Sequence, residues 1–139
     1  MSDIAKAVGL TKAGLYHHIT GKQDLLFQIL QYAFDEFERR VIEPAKQVDD
    51  PERRLPEIIR LHVRGMLEGG LEFTLLFSER LHLDDLQQVT IAQRTEGYMA
   101  LVRATLQELA TEGKLRDLDI HIATIHFLKT IAGIARIPK

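Results

Sequence analysis

The chain has 139 residues, is 45% hydrophobic and 27% charged, carries a net charge of −2 and contains no cysteine. This composition is that of an ordinary folded domain, and the lack of cysteine excludes disulfides, thiolate nucleophiles and Cys-based zinc sites. No apolar run reaches the length of a membrane span and no secretory signal pattern is present, so we expect a cytoplasmic protein that does not contact a membrane.

The charge is distributed unevenly along the chain. Residues 1–24 hold Lys6, Lys12 and Lys22 against Asp3 and Asp24, and no acid lies between Lys6 and Lys22. Because the net charge of the whole chain is negative, this segment is a small basic head on an acidic body. Such a distribution favours local contact with phosphates over indiscriminate coating of nucleic acid.

The first predicted elements are two short helices joined by a turn. The first presents an apolar face and ends at Gly9, which supplies a left-handed turn residue. Thr11 caps the second helix, whose inward face holds Leu15 and Ile19. The pattern predicts a helix-turn-helix, whose second helix enters the major groove of DNA. A plain helical corner with two surface histidines fits the same periodicity.

The outward face of this second helix supplies the candidate DNA contacts. Lys12 can donate to guanine or to a phosphate, and Ala13 can touch a thymine methyl group. Tyr16 and His18 can donate to phosphates, and Lys22 opens the next helix, whose N-terminus favours an anion. Two further residues belong to this region: Gly14, which allows DNA to come close, and His17, which lies near the outward face.

Helical periodicity continues through the rest of the chain, which predicts an all-α fold. We expect a long helix from Lys22 to about Ala45, and then one capped by Asp50 and opened by Pro51, with a kink or a later start at Pro56. This helix runs through Leu67 and is followed by a short apolar segment over 71–81. A long helix from Asp84 or Asp85 to about Thr111 ends at Gly113, and a last helix, opened by Asp117 or Asp119, spans 120–137.

The last helix is apolar around nearly its whole circumference. A helix of this kind must be buried on nearly all sides, and in a small chain a partner subunit is the favoured cover. The candidate dimer residues are Ile120, Ala123, Phe127, Ile131 and Ile134. The alternative is a central core helix of the monomer. His121 and His126 are expected to be buried or in an interface.

The composition supports a ligand pocket between helices, lined by apolar and aromatic groups. The candidates are Met66, Phe73, Phe77, Tyr98, Met99 and Phe127, with Arg64, Arg94 or Arg103 available for an acidic group. Plain core packing explains each of them equally well. We expect an apolar or amphipathic small-molecule effector.

The sequence gives little support for a metal site or for a catalytic nucleophile. Glu79 and His82 form a single E-x-x-H step, whereas carboxylate-bridged metal sites need two such motifs and two further glutamates. Ser78 lies beside this pair without a glycine-rich nucleophile turn. We therefore expect no metal site, no cofactor and no enzymatic activity.

The segments Ile4–Lys12, Leu15–Ile19 and Lys22–Leu26 closely resemble the TetR family of bacterial repressors. The resemblance implies a three-helix DNA-binding domain, a long connecting helix and an all-helical regulatory domain that dimerises through its final helices. It also implies a small molecule that enters the regulatory domain and releases the operator. By position, the family's DNA contacts correspond to Thr11, Lys12, Ala13, Gly14, Tyr16, His18 and Lys22.

The sequence departs from the family pattern at both ends. The family has a basic amphipathic helix before Ile4, and a further partner-contacting helix is expected after Pro138-Lys139. We therefore expect a DNA-binding region over 1–45 without its first helix, and a ligand-binding and dimerisation domain over 46–139 that is truncated at its C-terminus.

Together these features predict a homodimeric, ligand-responsive repressor that binds double-stranded operator DNA. The alternative is a helical ligand-binding or interaction module without DNA-binding activity, which the absent first helix and the net charge favour. Salt-dependent binding to duplex DNA separates the two.

Overall fold

The computed structural model describes residues 21–70, 73, 76 and 83–134, and within these ranges every regular element is helical. The elements are α1 (Lys22–Phe37), a π-helical turn (Glu38–Ile42), α2 (Glu43–Lys46), α3 (Pro51–Glu68), α4 (Asp85–Thr111) and α5 (Ile120–Ile134). The all-α prediction is confirmed. The predicted helix-turn-helix over residues 2–20 lies outside the described residues.

The predicted connecting helix is present as α1, the π-helical turn and α2 in direct succession. Its apolar stripe buries Leu25, Ile29, Leu30, Ala33, Phe34 and Phe37 along α1. The π-helical turn was not predicted. It ends two residues before Pro44, which has no N–H to donate and whose ring crowds the carbonyl four residues earlier. A locally widened helix accommodates both effects.

The start of α3 agrees with the capping prediction. The side chain of Asp50 accepts a hydrogen bond from the backbone N–H of Glu52 at 3.0 Å, and Pro51 occupies the first helical position. The helix begins at Pro51 and runs past Pro56, so of the two alternatives predicted for Pro56, a kink or a later start, the later start is wrong. Pro56 is exposed, which lets water bind the carbonyl that lacks its helical donor.

The boundaries of α4 and α5 also follow from local chemistry. Asp84 and Gln87 form a reciprocal capping box at the start of α4. The chain leaves this helix through Gly113, whose φ of +72° is a conformation that side chains with a Cβ resist. Asp119 accepts a hydrogen bond from the backbone N–H of Ile122 at 2.9 Å, and it opens α5.

The core forms where the connecting helix, α3 and α4 meet. Leu30, Phe37, Val41, Ile58 and Val102 are almost completely buried there. Phe73 and Leu76 from the predicted apolar segment join the same cluster. Several residues of α5 pack against this core while keeping partial exposure: Ile120, Ala123, Phe127 and Leu128.

The buried Arg54 ties α3 to α4 and to the preceding loop. Its guanidinium donates to the carbonyls of Val48 and Asp49 at 2.7 and 2.8 Å. It also donates to Thr105 at 3.3 Å and to Glu108 at 2.9 Å. A buried charge with this many partners fixes the relative position of the elements that it joins.

The outward side of α5 remains uncovered in the single chain. Thr124 and Ile131 are buried, whereas Ile122 is 54% exposed. His121 and His126 are exposed, so neither is buried within the chain, and their place in an interface stays a prediction. In the part of the chain that the structure describes, no helix is long and apolar enough to cross a membrane.

Candidate functional site

Four aromatic rings from four parts of the chain meet at the centre of the core. The ring of Phe37, at the end of α1, lies 4.7 Å from Tyr98 and 5.3 Å from His62 between ring centroids, both edge to face. Phe73 completes the group at 6.0 Å from Phe37. We call Phe37, His62, Phe73 and Tyr98 the aromatic cluster. It joins the connecting helix to α3 and α4.

A buried hydrogen bond of 2.8 Å links Nδ1 of His62 to the hydroxyl of Tyr98. Burial lowers the pKa of His62 to about 4 and raises the pKa of Tyr98, because the charged form of each group is poorly solvated there. Both side chains are therefore neutral near neutral pH. The cluster is an apolar environment with one polar pair inside it.

A close approach between α3 and Phe73 depends on Gly65. A Cβ atom placed on Gly65 would lie 2.8 Å from Cε1 of Phe73, nearer than such atoms approach in practice. The absent side chain lets the Phe73 ring lie against the α3 backbone. Gly65 therefore forms one wall of the aromatic cluster.

Gly65 also lines a cleft between the π-helical turn and α3. The cleft has a volume of about 380 Å³, and we call it the arginine cleft because three of its lining residues are arginines: Arg39, Arg40, Leu61, Arg64, Gly65 and Glu68. The guanidinium carbon of Arg40 lies 5.9 Å from the centroid of the Phe73 ring. The cleft and the aromatic cluster thus share a boundary.

Arg94 attaches α4 to the connecting helix. It donates to the backbone carbonyl and the side chain of Gln31, at 3.2 and 3.0 Å. It forms ion pairs with Asp35 at 2.8 Å and Glu38 at 3.1 Å, which raise its pKa against the opposing effect of desolvation. Its guanidinium carbon also lies 5.2 Å from the ring centroid of Phe34.

The structure brings two of the six predicted pocket residues, Phe73 and Tyr98, into the aromatic cluster. Phe127 packs against the core, and Met66 and Met99 are half-buried. Phe77 lies outside the described residues. Of the arginines considered for an acidic group, Arg64 lines the cleft, Arg94 holds α1, and Arg103 pairs with Glu96 at 2.9 Å.

Sequence reasoning missed Phe37 and His62 as members of this site. Phe37 lies on the apolar stripe of α1, a pattern that indicates burial but not which residues surround it. His62 shares a helical face with Ile58, Leu61 and Gly65, all of which are buried. That spacing could have indicated a buried histidine, because a polar residue on an apolar face needs a partner inside the core.

Of the eight predicted DNA contacts, only Lys22 lies within the described residues. It is the first residue of α1 and is exposed. Seven contacts lie outside the described residues: Thr11, Lys12, Ala13, Gly14, Tyr16, His17 and His18. The start of α1 thus presents a cation and the N–H groups of a helix N-terminus together, an arrangement suited to a phosphate.

The predicted dimer residues face different surroundings. Ile131 is buried inside the chain, and Ile120, Ala123 and Phe127 pack against the core with partial exposure. The side chain of Ile134 lies outside the described residues. In the same stretch of the chain, Leu118 and Ile122 are 37% and 54% exposed.

Two segments of the chain match family models. Residues 48–136 match the tetracyclin repressor-like C-terminal domain, and residues 1–29 match the bacterial regulatory proteins of the tetR family. Among curated proteins, no sequence matches the chain significantly.

Solved structures of TetR-family regulators share the fold. AibR in complex with isovaleryl coenzyme A and operator DNA is 28% identical, with a TM-score of 0.83 over 99% of this chain and 75% of that one. Apo AibR, also 28% identical, has a TM-score of 0.78 over 99% of this chain and 74% of that one. A regulator from Streptomyces coelicolor A3 is 28% identical, with a TM-score of 0.74 over 97% and 67% of the two chains.

Proposed function

Since the chain belongs to the TetR family of bacterial regulatory proteins, we propose that it is a transcriptional repressor that binds operator DNA as a homodimer and is released by a coenzyme A thioester. The observation that carries the proposal is the likeness to AibR in complex with isovaleryl coenzyme A and operator DNA. Family membership assigns the chain to the regulators rather than to the enzymes. Its proposed partner, chromosomal DNA, implies a cytoplasmic location.

The geometry supports a direct mechanical link between effector and DNA. α1 begins at Lys22, a proposed phosphate contact, and ends at Phe37 in the aromatic cluster. At 1.5 Å per residue, this helix spans about 22 Å. An effector that changes the packing around Phe37 therefore moves the helix that carries the DNA-binding segment.

Release of the operator follows as a shift between two populations. Two DNA-binding helices of a dimer reach successive major grooves only when they are about 34 Å apart. An effector with higher affinity for a different spacing draws the dimer away from the DNA-bound state. The aromatic cluster, whose four side chains are almost completely buried, is the place where a change of packing reaches the end of α1.

The outward side of α5 supports the homodimer. Ile122 on α5 and Leu118 shortly before this helix are exposed apolar side chains, and the exposed His126 lies one turn after Ile122. A second copy that covers them removes this surface from water. We expect Ile122→Glu to convert a dimer into a monomer in analytical ultracentrifugation. Leu67→Glu is the matched control, because Leu67 is an exposed apolar residue on α3. A dimer that survives Ile122→Glu excludes this face.

The test of operator binding is fluorescence anisotropy on labelled duplex from beside the gene, across a series of salt concentrations. Tyr16→Ala and Lys22→Ala should each weaken binding, and Lys22→Ala should reduce the salt slope by about 1 because one phosphate contact is lost. Lys46→Ala is the matched control, because Lys46 is an exposed lysine at the far end of the connecting segment. Equal binding by the wild type and by Tyr16→Ala would leave the ligand-binding module without DNA-binding activity as the better account.

A further inference from the structure

We propose that the arginine cleft binds the phosphate groups of the effector, so that the charged end of a coenzyme A thioester lies between the π-helical turn and α3. This inference rests on the proposed function for its choice of effector. It adds a second, polar subsite to the apolar surroundings of the aromatic cluster, and it assigns the recognition of phosphate to Arg39, Arg40 and Arg64.

The three guanidinium groups have donors to spare within the described part of the chain. Arg39 donates from Nη2 to Glu36 at 2.6 Å, and Arg40 donates from Nε to the same carboxylate oxygen at 3.1 Å. Arg64 donates from Nε to both oxygens of Glu68 at 3.3 Å. Each guanidinium carries five N–H donors, so most of them point elsewhere. A phosphate accepts several such bonds at once.

The carboxylates already paired with these arginines do not exclude an anion. All three pairings are between residues three or four apart in a continuous helical segment, and both side chains of the Arg64–Glu68 pair are more than half exposed. Exposed pairs of this kind contribute little, because water screens them. Three arginines against Glu36 and Glu68 leave the cleft with an excess of positive charge, which attracts a group with several negative charges.

The cleft lies next to the aromatic cluster, at the point where the connecting helix meets α3. Gly65 lines the cleft, and the face that it presents to Phe73 has no room for a side chain. Arg40 contributes to the cleft while its guanidinium lies near the ring of Phe73. Coenzyme A carries a phosphorylated ADP group at one end and the thioester at the other. The arginine cleft is assigned the first of these ends only.

The π-helical turn contributes two of the three arginines of the cleft. Arg39 and Arg40 belong to the connecting helix through this turn, whereas Arg64 belongs to α3. A phosphate bound by both sides bridges the two elements. Because α1 continues directly from the turn towards Lys22, phosphate binding acts on the helix that carries the DNA-binding segment. Single π-helical turns inside α-helices are frequently found at functional sites.

The experiment is isothermal titration of the full chain with isovaleryl coenzyme A and with isovaleryl pantetheine, which lacks the phosphorylated ADP group. The double variant Arg40→Gln, Arg64→Gln should bind isovaleryl coenzyme A at least about tenfold more weakly than the wild type, because it loses charge-assisted hydrogen bonds. Its affinity for isovaleryl pantetheine should match that of the wild type. Arg60→Gln is the matched control, because Arg60 pairs with Glu57 one turn earlier on α3 and does not line the cleft.

Three results would overturn the assignment of the cleft. Each of them distinguishes a failure of this assignment from a failure of the proposed function. Equal affinity of the double variant and the wild type for isovaleryl coenzyme A excludes the cleft, while operator release by this effector keeps the repressor function. Equal loss of affinity for the pantetheine thioester points to a structural effect of the substitutions. Lack of wild-type binding to isovaleryl, octanoyl and stearoyl coenzyme A excludes the effector class, and operator binding without effector then decides the repressor function alone. The single variants Arg40→Gln and Arg64→Gln, with thermal melts by circular dichroism, give the same readout if the double variant unfolds.

Discussion

The two halves of α4 are built from similar residues but lie in different surroundings. Every buried residue of this 27-residue helix belongs to its second half: Tyr98, Val102, Thr105, Leu106 and Leu109. In the first half, Leu86 and Val89 are 77% and 51% exposed. The second half is therefore part of the core, and the first half lies along its edge.

The attachments of the two halves differ in the same way. Arg54 anchors the second half through the buried Thr105 and through Glu108, whereas Arg94 attaches the first half to the connecting helix through partly exposed carboxylates. Tyr98, at the start of the second half, contacts Phe37 and His62. We infer that one end of α4 maintains the fold and the other follows the position of the connecting helix.

The largest expected effect comes from removing the anchor of the second half. Arg54→Ala should lower the free energy of unfolding by about 4 kcal/mol, because about four hydrogen bonds of roughly 1 kcal/mol each are lost. Urea denaturation measures the change. Arg53→Ala, at the exposed neighbouring position, should have little effect. Equal midpoints for the two variants would contradict the division of α4 into an anchored and an attached half.

Acid should destabilise the protein through His62 of α3, which contacts Tyr98 at the boundary between the two halves of α4. The folded-state pKa of His62 is about 4, below its ordinary value of 6.5, because it is buried. The unfolded chain therefore binds the proton more readily than the folded chain. The contribution of His62 to the free energy of unfolding is fully present above pH 6.5 and is lost as the pH falls through 4. At about 1.4 kcal/mol per pH unit, the total contribution is about 3 kcal/mol.

Urea denaturation between pH 4.5 and 7.5 tests this prediction. His62→Leu should flatten the rise of stability with pH, whereas His121→Gln, which replaces an exposed histidine, should leave that dependence close to the wild type. An unchanged pH dependence in His62→Leu would mean that burial does not keep His62 neutral in the folded chain.

The smallest effect on stability is expected in the first half of α4. Arg94→Gln should cost about 1 kcal/mol, because its ion pairs are with partly exposed carboxylates. It should nevertheless change the concentration of effector needed to release the operator, since Arg94 holds the connecting helix. Arg103→Gln, which breaks a pair confined to α4, is the control. An unchanged effector response in Arg94→Gln would remove the first half of α4 from the signalling route.

The family resemblance and several helix boundaries could be read from the sequence because they depend on residues close together in the chain. Asp50 and Pro51 open α3, Asp84 and Gln87 cap α4, and Gly113 ends it, each through contacts within a few residues. The resemblance likewise rests on a short segment with fixed internal spacing. Local chemistry of this kind is the same before and after the chain folds.

Burial and the assembly of the sites were decided only by the tertiary structure. Leu86 and Val89 are as apolar as Val102 and Leu106, yet only the latter pair meets the core. Nothing near Phe37 in the sequence indicates that His62 and Tyr98 will surround it. Arg40 and Arg64 are 24 positions apart and line one cleft because the π-helical turn packs against α3. Sequence periodicity identifies which face of a helix is apolar, but the neighbouring helices determine how much of that face is covered.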